Sequence, residues 1–212
     1  MAQELGKIEK PESENFKKGR KLFLVPLIYA SKEAPEEYKE KYELYWQQVA
    51  EQVLNLESKI GLVKRIYHES ISIDGEEGLA IIEKLNIKSH NIAKHKCEND
   101  AELQSLEDKD LAEECIDWQR CLLIGLISEK AAKKITEYYM DATRKRYEYI
   151  SKKIDKTLKK DETAILFIQE GHMVQFPKDI EVFSVAPPAL DEIHRWLRDN
   201  ADRQQTEDSS DE

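Results

Sequence analysis

From Thr163 to Phe176 the chain reads Thr-Ala-Ile-Leu-Phe-Ile-Gln-Glu-Gly-His-Met-Val-Gln-Phe. It is the most apolar β-like run in a sequence where 36% of the residues are charged, and it follows the longest helical pattern. An apolar run without alternation is characteristic of a strand buried on both faces, as in parallel sheets covered by helices. The run breaks at Gly171-His172, and a buried strand that ends this way can set a histidine at the crevice beside the carboxyl edge of a sheet. Two local readings exist. Residues 170–179 can be a crossover between parallel strands, or Ile165–Gln169 and His172–Phe176 can pair as a hairpin about Glu170-Gly171. The crossover is preferred because the strand before Gly171 is two-sided.

The remaining elements fit the same architecture. Lys21–Ala30 is an apolar run of strand length in which Pro26 cannot donate to a ladder, so the strand is interrupted there or lies at an edge. Pro35 opens a helix whose stripe is Tyr38, Tyr42, Tyr45, Val49, Val53, Leu56 and Ile60, ended by Gly61. Leu62–Ile71 is a second strand that presents His68 and Glu69 near its end. Short helices are expected over 77–85 and 88–97. Ala101–Gln119 reads as helix with a break at Ser105, where Ser105-Leu-Glu-Asp resembles a capping box. Cys121–Leu126 reads as a buried joint, and a long helix spans 128–160. Ile180–Ala186 is another strand, followed by a helix over 190–198. The expectation is a helix-rich α/β fold with a largely parallel or mixed sheet of about four strands. It forms a single domain over 20–199 with a helical insertion around 77–126, a mobile polar arm over 1–19 and a disordered acidic tail over 200–212.

Charge and cysteine content narrow the function classes. The formal net charge is −10, and from Asp199 onward six acids stand against Arg203. A chain with this balance has no basic face by default, so nucleic acid is not the expected partner. Cys97, Cys115 and Cys121 have no metal or disulfide spacing, which fits a reducing compartment. The opening residues lack the apolar core of a signal peptide, and no run is long enough to span a membrane. A soluble, cytoplasmic protein is expected.

Within the long helix the stripe comprises Tyr139, Thr143, Tyr147, Ile150, Ile154 and Leu158, and Arg146 falls inside it. If buried, that arginine must find an anion or a carbonyl; otherwise it snorkels at the margin with its head in water. His90 and His95 are five apart and make a poor chelate. No phosphate loop, nucleophile elbow, His-Glu-x-x-His or dinucleotide fingerprint is present.

Arg146-x3-Ile150-Ser-Lys-Lys-Ile154-Asp-Lys-Thr-Leu158, Glu162-Thr-Ala-Ile-Leu-Phe-Ile168, His172 and Phe176-Pro-Lys-Asp-Ile180 together carry a likeness to known proteins. Over 140–186, and more weakly over 21–32, 62–70 and 101–111, the chain resembles the TraB/Tiki/ChaN/erythromycin-esterase-like superfamily, nearest to its small uncharacterised prokaryotic members. The resemblance implies a metal or acid–base site built from a histidine after the first strand, an acid after the second, a helical arginine and a histidine after the strand that follows it. Carried onto this sequence, it implies Glu69, Arg146 and His172 as catalytic candidates, with Tyr29, Gln169 and Glu107 as weaker ligand-binding candidates. Tyr29 stands where the pattern has the first histidine, and Gln169 where it has a glycine. Losing an imidazole removes a good ligand for a divalent metal. Two expectations follow. The favoured one is a degenerate, non-catalytic member that binds a partner protein or a small anionic ligand at the crevice near His172. The alternative is a hydrolase, with a divalent metal as its only implied cofactor, in which His172 and Glu69 act as acid and base or as ligands and Arg146 stabilises an anion.

Overall fold

The computed structural model describes residues 18–208. Residues 1–17 of the arm expected over 1–19 and the last four residues of the expected tail lie outside the described residues. Five strands form one sheet: β1 (Arg20–Pro26), β2 (Val63–His68), β3 (Glu102–Gln104), β4 (Thr163–Ile168) and β5 (Ile180–Ser184), in the order β3-β2-β4-β1-β5. Every pairing is parallel. The α/β class expected from the sequence is the observed one.

All six residues of β4 are buried, and their alternation assigns the two layers. Phe23, Val25, Ile165 and Phe167 face the layer made by α1 (Glu36–Ile60), α2 (Gly75–Leu85), α3 (Ile87–Cys97) and α6 (Pro188–Asp208). Leu22, Ala164, Leu166 and Ile168 face Tyr147, Ile150 and Ile154 of α5 (Glu129–Thr157). Each strand residue therefore lands in one of two cores, and β4 serves both. Pro26 is the last residue of an inner strand, so the strand is interrupted there and does not lie at an edge.

The connections decide where a crevice can form. Strand β1 leads to β2 through α1, and β2 to β3 through α2 and α3, all on one face. Residues 169–179 then carry β4 over to β5, with Val174 and Phe176 packed in the α5 core. They form a crossover, not a hairpin, since β1 lies between β4 and β5. At the carboxyl edge the chain thus leaves β1 and β2 toward one face and β4 toward the other, the arrangement that opens a crevice in parallel sheets.

Three elements differ from the sequence expectation. Residues 102–104 are a strand, so the stretch 77–126 is part of the sheet's frame and more than a helical insertion. The helix after it is α4 (Lys109–Leu123), capped by Asp108, whose Oδ1 accepts from the Leu111 amide at 3.1 Å; the capping box expected at Ser105 does not form. Helix α6 runs on to Asp208, where the sequence predicted an end at Arg198 and an unstructured tail. Leu123 and Ile124, expected in a buried joint, are exposed. Helices α4 and α5 form an antiparallel hairpin in which only Cys115 is buried on α4, and every buried residue of α5 lies at or beyond Ala142. An α-helix of 29 residues is about 43 Å long and a six-residue strand about 20 Å. Its first half therefore extends past the carboxyl edge.

Candidate functional site

The carboxyl edge collects side chains from four strand ends and one helix. Where β2 ends, Glu69 donates its amide to the Phe167 carbonyl at 2.8 Å, still in the ladder with β4. Ser70 follows with φ 69°, a left-handed turn that is uncommon outside glycine. That turn aims the Ser70 amide at Glu107, whose Oε1 accepts at 3.3 Å. Glu107 comes from the loop after β3, which is tied back by the Leu106 and Glu107 amides donating to the Ile71 carbonyl at 2.8 and 2.9 Å. The loops after β2 and β3 are thus one unit carrying two carboxylates.

Arg146 reaches both acids from α5. Its Nη2 donates to Glu69 Oε1 at 2.9 Å and also to Glu107 Oε1, while its Nε donates to Glu107 Oε2 at 3.0 Å. Glu69 Oε2 accepts from the Gln169 amide at 2.7 Å, at the end of β4. The Gln169 side chain donates from Nε2 to the Tyr147 hydroxyl at 2.9 Å, and the Tyr147 ring lies 5.7 Å from the guanidinium. Burial works against the charge on Arg146, but Glu107 and Glu69 outweigh it and hold its pKa above the ordinary value. One cation against two carboxylates leaves the cluster formally at −1. Every carboxylate oxygen in it already accepts a hydrogen bond.

Behind Glu69 sits a histidine that the sequence reading left unassigned. His68 is fully buried against Phe167, with Nδ1 at 2.6 Å from the Glu69 carbonyl and Nε2 at 3.0 Å from the Ser89 hydroxyl. A carbonyl only accepts, so the proton is on Nδ1. Burial pushes the imidazole pKa down to about 4, partly opposed by the bond to that carbonyl. His68 is a neutral brace for the Glu69 backbone.

The site candidates therefore separate. Glu69, Arg146, Glu107 and Gln169 meet. Tyr29 is half exposed at the rim; burial and the negative charge of Glu69 raise its phenol pKa, and its carbonyl accepts from the Tyr38 hydroxyl at 2.8 Å. His172 does not join them. Its Nδ1 accepts from the Val174 amide of its own loop at 3.3 Å, and its ring meets Phe176 edge-on at 5.9 Å. It makes no hydrogen bond or ion pair with Glu69, Glu107 or Arg146. Gly171, at φ 76°, turns the loop so that the imidazole packs on the crossover instead of over the strand ends. The correction to the sequence reading is that the imidazole at this edge belongs to His68, and it is behind the site. Tyr147 was visible only as a stripe residue, although its position next to Arg146 was the available signal.

Between α5 and residues 169–175 lies a cleft of about 870 Å³, lined mainly by apolar atoms, with Tyr139, Met140, Tyr147 and Met173 on its walls and the charged side chains of Asp141, Arg144, Glu148 and Lys152 along its α5 side. Tyr147 and Gln169 belong to both the cleft and the charged cluster. Among the described residues no three His, Cys, Asp or Glu side chains gather so as to hold a metal ion. Glu69 and Glu107 could offer oxygens to a divalent ion only against the positive charge of Arg146 beside them.

No family model, curated protein or solved structure matches the chain.

Proposed function

We propose that the protein is a non-catalytic binding module, a degenerate relation of the TraB/Tiki-like superfamily that receives its ligand in the cleft beside the Glu69–Arg146–Glu107 cluster. The observation that carries this reading is the closure of that cluster. A general base or nucleophile needs a free lone pair near the reacting atom, and an anion-stabilising arginine needs free donors. Here Nε and Nη2 of the guanidinium are taken by two carboxylates, and the net negative charge opposes a second anion at Nη1, which makes no hydrogen bond of its own. The groups left for recognition are the Tyr147–Gln169 pair, the apolar cleft wall with Met140 and Met173, and the cations Arg144 and Lys152 that line the same cleft. Methionines of this kind adapt to the shape of an apolar ligand or a partner's side chain. The expectation of a small anionic ligand therefore narrows to an occupant with an apolar body, either a small molecule or a side chain of a partner.

A hydrolase remains the second reading, favoured by the position of two carboxylates at the carboxyl edge, where α/β enzymes place their chemistry. Two measurements separate the readings. An uncharged environment-sensitive naphthalene dye is expected to bind wild type saturably and to lose at least about tenfold in affinity in Met173→Glu, since a bound apolar ring would desolvate the new carboxylate. Turnover of an activated ester is expected to be the same in wild type and Glu69→Gln. Ester turnover that disappears in Glu69→Gln would establish the hydrolase instead.

A further inference from the structure

Cys121-Leu-Leu-Ile-Gly-Leu-Ile127 is an apolar run that the fold places at the far end of the α4–α5 hairpin. Leu123, Ile124 and Ile127 are exposed, the last of them completely. Loops that connect helices on a protein surface are ordinarily polar, so three bare aliphatic side chains at a tip mark a contact surface. No helix among the described residues is long and apolar enough to cross a membrane, which leaves contact from one side.

The residues around the tip indicate what it meets. Between Asp117 and Glu137 the chain carries four basic residues (Arg120, Lys130, Lys133, Lys134) and three acids (Asp117, Glu129, Glu137), a local +1 in a chain of net −10. Lys130 and Lys133 are exposed, and among the described residues no carboxylate lies within ion-pair distance of either. Arg120 and Lys134 make only exposed pairs, at 3.4 Å with Asp117 and 3.9 Å with Glu137. Behind this collar Trp118 and Tyr138 stack at 4.9 Å, the two residue types that favour the headgroup level of a bilayer. An aliphatic tip, a basic collar and an aromatic pair succeed one another along the hairpin axis.

We propose that the hairpin tip inserts into the surface of an anionic phospholipid bilayer, with Leu123, Ile124 and Ile127 among the acyl chains and Lys130, Lys133 and Lys134 on the headgroups. A lipid surface fits better than a second copy of the chain. The exposed aliphatic groups are concentrated at the end of the hairpin, where they meet a plane head-on, whereas a stable dimer needs about 800 Å² from each partner along a flank. Neither aliphatic insertion nor basic attraction alone gives firm binding, but the two together do. The 17 helical steps from Glu129 to Arg146 would hold the charged cluster about 25 Å from the bilayer. This inference does not depend on the occupant of the cleft.

Flotation of the full chain with vesicles tests it. Wild type is expected to float with vesicles of equal parts phosphatidylcholine and phosphatidylglycerol and to stay at the bottom with phosphatidylcholine alone. The exposed triple variant Leu123→Ser/Ile124→Ser/Ile127→Ser should lose binding at least about tenfold. Each basic side chain near an anionic surface is worth about fivefold, so Lys130→Gln/Lys133→Gln/Lys134→Gln should lose about a hundredfold. Unchanged circular dichroism and melting in both variants would show that the fold is intact. The proposal is overturned if wild type fails to float with the mixed vesicles, or if the serine variant floats as well as wild type. It is also overturned if sedimentation shows a dimer that the serine substitutions dissolve while no flotation occurs.

Discussion

Arg20 and Arg146 stand at opposite edges of the same sheet, and each holds two acids. Arg20, at the amino edge, pairs with Asp155 and Asp179 at 2.7 Å each and donates to the Asp155 and Leu158 carbonyls at the end of α5. Its carboxylates are 56% and 66% exposed, whereas those bound to Arg146 are 9% and 1% exposed. Similar geometry therefore has different consequences. Water and salt screen the aspartates of the first cluster, which can be rehydrated if Arg20 is lost. The second has almost no water to fall back on. The amino edge fastens a helix end to a strand, while the carboxyl edge confines charge in a crevice next to an apolar cleft.

The strongest way to break this contrast is Arg146→Met, which leaves Glu69 and Glu107 buried without a counter-ion. Urea denaturation should show a loss of about 3–5 kcal/mol, the range for a broken buried pair. A smaller effect comes from pH. The folded-state pKa of His68 is about 4, below the 6.5 of the free side chain, so the unfolded chain binds the extra proton first. The stability this group contributes is intact above about pH 6.5 and falls as pH drops toward 4, by about 3 kcal/mol at most. Burial lowers the His172 pKa as well, which adds to the slope in the same direction. In His68→Gln the decline between those pH values should be visibly flatter; an unchanged slope would assign it to other groups. Tyr147→Phe removes the partner of the Gln169 side-chain Nε2 and should cost about 1 kcal/mol, with dye binding at the cleft altered as well. Arg20→Met should be the mildest, no more than about 1 kcal/mol, and its effect should shrink further in high salt.

Much of the frame was legible because burial leaves a period in the sequence. The stripe of α1 predicted Tyr38, Tyr42, Tyr45, Val49, Val53, Leu56 and Ile60 as core; five are buried, and Tyr42 and Leu56 are half-buried at its margin. The unbroken apolar run of β4 implied a strand covered on both faces. Strand β3 was not legible. It is three residues long, at a sheet edge, and Glu102 faces outward, so no alternation can be read from it. The Cys121–Leu126 run misled for the opposite reason. Apolar composition ordinarily marks burial, and the pattern does not reveal that a helix pair extends beyond the body it grows from.

At the site, helical spacing put Arg146 within the buried stripe and required a partner for it. The partners themselves lie 77 and 39 residues away in sequence, on loops whose mutual approach depends on the whole sheet order. Local patterning carries no such information. Gly171-His172 drew attention as a pair, yet the positive φ at the glycine carries the imidazole away from the strand ends. His68, one residue before Glu69 and on the opposite face of the strand, was hidden by the alternation that makes it a core residue.

The claim on which the rest depends is that the carboxyl-edge cluster is closed, its two acids bound to Arg146 and withheld from chemistry. A double-mutant cycle with Arg146→Met and Glu107→Gln, read by urea denaturation, measures this directly. The account predicts a coupling of about 2–3 kcal/mol, with Glu107→Gln recovering part of the stability lost in Arg146→Met. A coupling no larger than that between Arg20 and Asp155 would contradict it, and would mean that Glu107 is free to act on a ligand.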